Sequence, residues 1–439
     1  MKIRSLLLGS AALAGLSTAG YAADLGVVTS LDVCDELGLS GLTISSDDNC
    51  LVITGNVAFE YDWGDYTPGR VYGDFASVSN DNNYNVLNPA SPLDSNQGDV
   101  DTWLKFVATA DSDFGPAQAV IKLISENGTG DKAGNTGKNG FPSNADQTVG
   151  IDEAWVGIGD TTMIMAGYKS SIFNKGDDAP LNYLGLFNSN AVNTGVSWHT
   201  SGATTGGDVI QIVSNLGNGV SVGGGLEGLA GTFGNLTAVG VMSYAGDGIS
   251  AHFSGAVGNG GWKIHTGFTG AWDPIKVVAA VATDNTGYYN ALGSVAATFD
   301  MFTLAASGET ASDGYGVGGS ATAKVTDGVT INLGGNYWHH TTYTGPGAST
   351  NDGAAAYDLW RVEAGLSAAV TESITLTAAA GYESTTAPAV GTLGGPSSDF
   401  YGKAGVAWAP GGGFTSSTAL TVNSLGGYKA VFKAAKSIK

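Results

Sequence analysis

Long apolar runs are missing from this chain of 439 residues. The one near the start, residues 6–16 (LLLGSAALAGL), falls well short of the ~20 apolar residues that a spanning helix needs. No later stretch approaches that length, so a protein crossing a membrane with helices is excluded. Charge is scarce as well. Asp, Glu, Lys and Arg make up 13% of the chain, against about 25% in a soluble domain. Arginine occurs only at positions 4, 70 and 361, and the net charge is −21. A basic footprint for nucleic acid is therefore absent, and no nucleic-acid partner is expected.

Other absences narrow the chemistry. The two cysteines, Cys34 and Cys50, have no histidine or further cysteine nearby, so a metal site is the poorer reading and one disulfide the better. The glycine clusters at 258–261 and 316–319 lack the Lys-Ser/Thr ending of a phosphate loop. There is no Gly-x-Ser-x-Gly elbow. His339-His340 and Asp152-Glu153 fall in strand-like segments, where adjacent residues point to opposite faces, and His252 and His265 look isolated. No enzyme and no cofactor are expected. No fixed short repeat marks a solenoid.

What is present points to export and to strands. Lys2 and Arg4, the apolar run and Gly20-Tyr21-Ala22 form a secretory signal peptide over residues 1–22. Its removal takes away two positive charges and lowers −21 to −23. Glycine is plentiful at 69 residues and proline rare at 11. In residues 51–63 (LVITGNVAFEYDW), Leu51, Ile53, Val57, Phe59, Tyr61 and Trp63 alternate with Val52, Thr54, Asn56, Glu60 and Asp62. That period of two, ending in aromatics, is the pattern of a strand with lipid on one side and water on the other. It recurs at 104–110, 117–124, 249–257, 262–268, 331–337, 360–368, 374–382 and 400–408.

Connections alternate between short turns, such as 111–115, 159–161, 215–219, 245–248, 326–328 and 410–413, and long polar segments, such as 64–98, 126–148, 170–193, 339–356 and 384–399. Short turns on one rim and long loops on the other describe a closed antiparallel transmembrane β-barrel, all-β, with sixteen to twenty segments by count. The organisation expected is a signal peptide over 1–22, a disulfide-closed segment over 23–50 and a barrel over 51–439. Residues 194–208 read either as a strand pair or as the end of a long loop.

A barrel works through its lumen and any loop that narrows it. The segment at about 170–193 is too apolar for a solvated loop, and it is expected to fold inward on Ile172, Phe173, Leu181, Tyr183, Leu184, Leu186 and Phe187. Asp177 and Asp178 then project into the opening. By strand parity Lys105, Lys122, Lys169, Lys263, Lys403, Arg361 and Glu363 face the lumen, the bases forming the side opposite those acids. The acidic balance favours cations over anions.

The start of the chain also resembles a known family. Val33-Cys34-Asp35, a loop, then Cys50-Leu51-Val52-Ile53 with Gly55 and Tyr61 are similar to the opening of the alphaproteobacterial porins, which follow a signal peptide with paired cysteines. Met1-Lys2-Ile3 with residues 5–10 (SLLLGS) resembles the family's signal. Residues 153–157 (EAWVG) and 166–168 (AGY) resemble the strand pair before its constriction loop. The resemblance covers residues 1–70 and 150–175. It implies sixteen strands, a homotrimer in outer-membrane lipid, and passage of small hydrophilic solutes and ions. The chain departs from the pattern at its end, where Lys436-Ser437-Ile438-Lys439 replaces a terminal aromatic. Two rival readings stand beside a passive pore: a substrate-selective channel, for example for sugars stacked on Trp338 and Tyr401, and a non-channel surface protein of the adhesin kind.

Overall fold

The computed structural model describes residues 34, 39, 41–46, 48–65, 94–128, 149–173, 179–186, 195–196, 205–229, 236–341, 356–386, 397–424 and 426–439. The signal segment 1–22, Arg70, Asp177, Asp178 and Phe187 lie outside them. A short strand β1 (Leu42–Ser45) comes first. The next ten are β2 (Cys50–Asp65), β3 (Asp94–Ala110), β4 (Ala117–Gly128), β5 (Gly150–Gly159), β6 (Thr162–Lys169), β7 (Gly207–Gly217), β8 (Val220–Glu227), β9 (Thr237–Gly246), β10 (Ile249–Gly258) and β11 (Gly261–Trp272). Ten more follow: β12 (Ile275–Asp284), β13 (Tyr289–Phe299), β14 (Phe302–Ala311), β15 (Gly314–Thr326), β16 (Val329–His340), β17 (Tyr357–Ala369), β18 (Ile374–Thr385), β19 (Ser397–Gly411), β20 (Phe414–Asn423) and β21 (Tyr428–Ile438).

From β2 onward each strand pairs antiparallel with the next. β21 then pairs with β2, from Gly55↔Ile438 to Asp65↔Tyr428, and the sheet closes on itself as twenty strands. Closure removes the sheet edges that lipid could not satisfy. β1 pairs with β2 just below that seam, from Leu42↔Ile53 to Ser45↔Cys50, so it continues the line of β21. Cys34 and Cys50 are joined by a disulfide.

Twenty strands correct the sixteen that the resemblance implies. The matching stretches cover only β1, β2 and the β5–β6 pair, which carry no information about closure. The segment count, whose upper end was twenty, depends on every hairpin, and those of residues 207–340 are unusually compact. On the loop rim β10–β11, β12–β13 and β14–β15 are joined by only two to four residues. Strand number in turn sets the barrel's width.

Alternation makes the wall. Val57, Phe59, Tyr61, Trp63, Ile121, Val156, Ile164, Ile212, Phe253, Leu304 and Leu333 are exposed on the outer face. Gln211, Glu227, His252, Ser254, His265, Asn290, Ser307, Asn336 and Glu363 take the opposite parity and are buried inside. Outward aromatics gather at both rims. Trp63 packs on Tyr428, Trp360 on Tyr382 and Tyr382 on Phe400 at the loop end, and Trp408 packs on Phe414 at the turn end. Two aromatic girdles around an aliphatic band match the two interfaces of a bilayer.

Tight turns keep the register. Asn218-Gly219 and Asp247-Gly248 both have positive φ at both residues, the backbone that fits the twist of a two-residue hairpin. A Cβ at Gly219 would collide with the Ala245 carbonyl oxygen, so only glycine serves there.

The outer face gives a first test. Leu333→Asp places a carboxylate toward acyl chains and is expected to cost about 1–2 kcal/mol. Asn332→Asp, one residue away on the lumen side, keeps the oxygen that accepts from Thr322 Oγ1 and costs under ~1 kcal/mol. Urea titrations of the refolded variants in lipid vesicles measure the difference. Equal costs at the two sites would contradict the parity.

Candidate functional site in the barrel lumen

The connection between β6 and β7, residues 170–206, runs inside the barrel where it is described. Its neck is fixed first. Glu227 accepts hydrogen bonds from the Ile172 amide (3.2 Å), the Gly206 amide (2.6 Å) and Gln211 Nε2 (2.8 Å). Ile172 and Phe173 pack with Val239, Val241 and Ala256 on the inner wall. The Lys263 ammonium lies 5.4 Å from the centre of the Phe173 ring.

Further along, the segment is strapped across four strands. The Leu181 amide donates to Ser294 Oγ of β13 (2.8 Å), and the Tyr183 amide to Ser320 Oγ of β15 (2.9 Å). Asn336 Nδ2 of β16 and Arg361 Nη2 of β17 donate to the carbonyls of Gly185 (3.3 Å) and Leu184 (3.1 Å). Leu186 and Val196 pack with Ala280, Ala282 and Leu292. Apolar side chains thus find inner-wall partners, and the backbone groups find polar ones, as a segment withdrawn from bulk water requires.

Tyr183 anchors the strap through its side chain. Its hydroxyl donates to Glu363 Oε1 (2.6 Å), and its ring fills the space over Gly365, where any Cβ would strike the phenol oxygen. Burial, and then the bond to Glu363, push the Tyr183 phenol above its ordinary range, so it remains a donor. Glu363 is only 3% exposed and collects two more donors, Tyr401 Oη (2.8 Å) and Lys403 Nζ (2.7 Å).

The other charged residues named from sequence group on the wall of β3–β6. Lys105 pairs with Glu153 (3.3 Å) and Lys122 with Asp152 (2.6 Å). Lys122 also lies 5.5 Å from the Trp103 ring centre, and Lys169 lies 4.6 Å from that of Trp155. Arg361 and Lys403 sit on a different part of the wall, around Glu363. The bases therefore do not gather on one side, and each group carries its own carboxylates. Asp152 and Glu153 both reach lumen lysines, against the alternation expected for neighbours. The pairing shifts at this point, with Lys122 opposite Glu153 but Leu123 opposite Ile151, and the extra residue turns Asp152 inward.

Two more sequence readings change in the fold. Trp338 (4% exposed) packs with Ala311 and Leu359, and Tyr401 (5% exposed) is held by Glu363, so neither offers an open ring to a sugar. His252 and His265 are not isolated, because the β10–β11 register brings their ring nitrogens within 3.3 Å. His339 and His340 do part: one pairs with Asp358 on the outer face, and the other stacks on Tyr357 inside. Sequence reasoning missed Glu227, Gln211 and the seat of Tyr183. Glycines at inward parity in adjacent strands, Gly334 and Gly365, were the legible signal for that seat.

A closed wall with apolar outside, charged and amide-lined inside and an internal strap is built to pass water and solutes. A family described as the porin subfamily matches residues 28–438. The chain belongs to the porin subfamily. This porin sits in the bacterial outer membrane, and its lumen is that of a channel. Among solved structures it is similar to OmpT of Vibrio cholerae with loop L8 deleted, at 10% identity and TM-score 0.35, over 89% of this chain and 100% of that one. It is also similar to a mutant of the Rh. blastica porin, at 12% and 0.38, over 88% and 99%. A third similar structure is the outer-membrane channel DcaP of Acinetobacter baumannii, at 13% and 0.37, over 91% and 100%. No curated protein matches the chain.

Proposed function

We propose that this porin is a passive, cation-preferring diffusion pore for small hydrophilic solutes and ions, narrowed by residues 170–206. The observation that carries the reading is the strap itself. Residues 181–186 bond to β13, β15, β16 and β17 and end on Glu363, on the lumen side of the wall. Cation preference draws support from the net charge of −21 and from acids at lumen positions of β2 and β3, namely Glu60, Asp62, Asp99 and Asp101. Asp177 and Asp178, between the neck and the anchored stretch, add to that field.

The signal segment 1–22 is removed on export, and the paired-cysteine start supports an alphaproteobacterial type of porin. Three copies assemble, as the resemblance implies. On the outer face, Ala108, Ala110, Ala117 and Ala119 line a hollow of about 480 Å³ that lets a neighbouring wall approach.

Reversal potentials of the purified protein in a potassium chloride gradient test the preference. The expected sign is that of potassium permeation, weakened by Asp177→Asn with Asp178→Asn. Chloride selectivity in the parent would refute it.

A further inference from the structure

We infer that Glu227, with Gln211, is the positioning residue that clamps the neck of the lumen strap and so keeps the channel in one steady open state. The inference rests on the proposal that residues 170–206 narrow the pore.

The two ends of a long connection have to be brought together, and the loss of freedom grows with its length. Here one side chain does it. A single carboxylate takes the amide of Ile172 on one oxygen and that of Gly206 on the other, joining residues on both ends of the connection. Gln211 completes the clamp. Its Nε2 donates to Glu227 (2.8 Å) and to the carbonyl of Ser170 (3.1 Å). Glu227 is 0% exposed and Gln211 1%, so water does not compete for these bonds. Hydrogen bonds to an ionised acceptor are about twice as strong as neutral ones. Gly206, at φ +80°, makes the bend that aims its amide at the carboxylate.

Position also matters. Glu227 ends β8 and Gln211 lies in β7, so the clamp is mounted on paired strands rather than on another loop. Its effect on permeation runs through the strap's geometry. Loss of the clamp leaves the far anchors on β13–β17 intact and loosens the neck, Ser170 to Phe173 and Gly206, on the wall of β7 and β8.

Single-channel recording of the full-length protein in planar bilayers tests this. Glu227→Ala is expected to raise the rate of brief closures and sub-conductance steps about tenfold. Glu227→Gln keeps one acceptor oxygen and is expected to fall between, with Gln211→Ala near it. Heat-modifiable mobility on gels should remain that of the parent, because the wall's ladders are untouched; a purely structural role would shift mobility and leave gating alone. Should Glu227→Ala fail to insert, the traces of Glu227→Gln and Gln211→Ala decide in the same way. Traces matching the parent in the variants that insert would overturn the clamp. Flicker in Glu227→Ala together with a parent selectivity indifferent to Asp177→Asn and Asp178→Asn would uphold the clamp and count against the acids' part in the constriction.

Discussion

Glu363→Ala is expected to cost about 3 kcal/mol and to loosen the pore at the same time. The carboxylate is almost completely buried and accepts from Tyr183, Tyr401 and Lys403. Removing one member of a buried ion pair leaves the other charge without its counterpart, a loss of ~3–5 kcal/mol. Lys403 is 28% exposed to the water-filled lumen, which argues for the lower end. The two phenols each lose a strong acceptor as well. Tyr183→Phe separates the effects. It deletes the strap's bond while Glu363 keeps Lys403 and Tyr401, so it should cost about 1 kcal/mol. Both variants free the tip of the strap, so both should show unsteady conductance; only Glu363→Ala should also lower the urea midpoint strongly. Identical stability losses in the two would contradict the assignment of Glu363 as a shared hub.

Reduction of the disulfide is the second large effect, at about 3 kcal/mol. The link closes a loop with a sequence separation of 16 residues, and a loop near that size gives ~3 kcal/mol in the chain-entropy picture. Its site decides the consequence. Cys50 opens β2, the strand on which the barrel closes, and β1 lies inside the linked segment. β1 takes the edge of β2 from residue 50 to 53, and β21 takes it from 55 to 65. The chain's end at Lys439 therefore abuts Gly41. A seam finished by a stapled hairpin opens from this corner. Cys34→Ser with Cys50→Ser should lower the melting temperature in detergent and speed amide exchange first in residues 42–45 and 428–438. Uniform exchange around the barrel would contradict a local seam.

The wall was legible because its rule is local. Residues 51–63 display the two-residue period and the aromatic end in the sequence itself, and the turns at 215–219 and 245–248 carry the residues their backbone demands. What escaped depends on pairing. The inward turn of Asp152 comes from one extra residue against β4, and alternation within β5 alone hides it. His252 and His265 meet only once the β10–β11 register is set. The number of strands is a property of closure, visible in no single segment. The lumen site is hardest of all, since Tyr183 and Glu363 are 180 residues apart. The apolar content of 170–193 marked a segment out of place in water, but its partners on four strands were not readable from it. β1 is four residues long, too short for its alternation to stand out in the sequence.

The central claim is that a water-filled lumen runs through a twenty-stranded wall and is narrowed by a strap from within. Planar-bilayer recording of the purified, disulfide-intact protein tests it most directly. Discrete, long-lived conductance steps are expected, larger or less steady in Tyr183→Phe. A folded, heat-modifiable barrel that inserts and carries no current would contradict it.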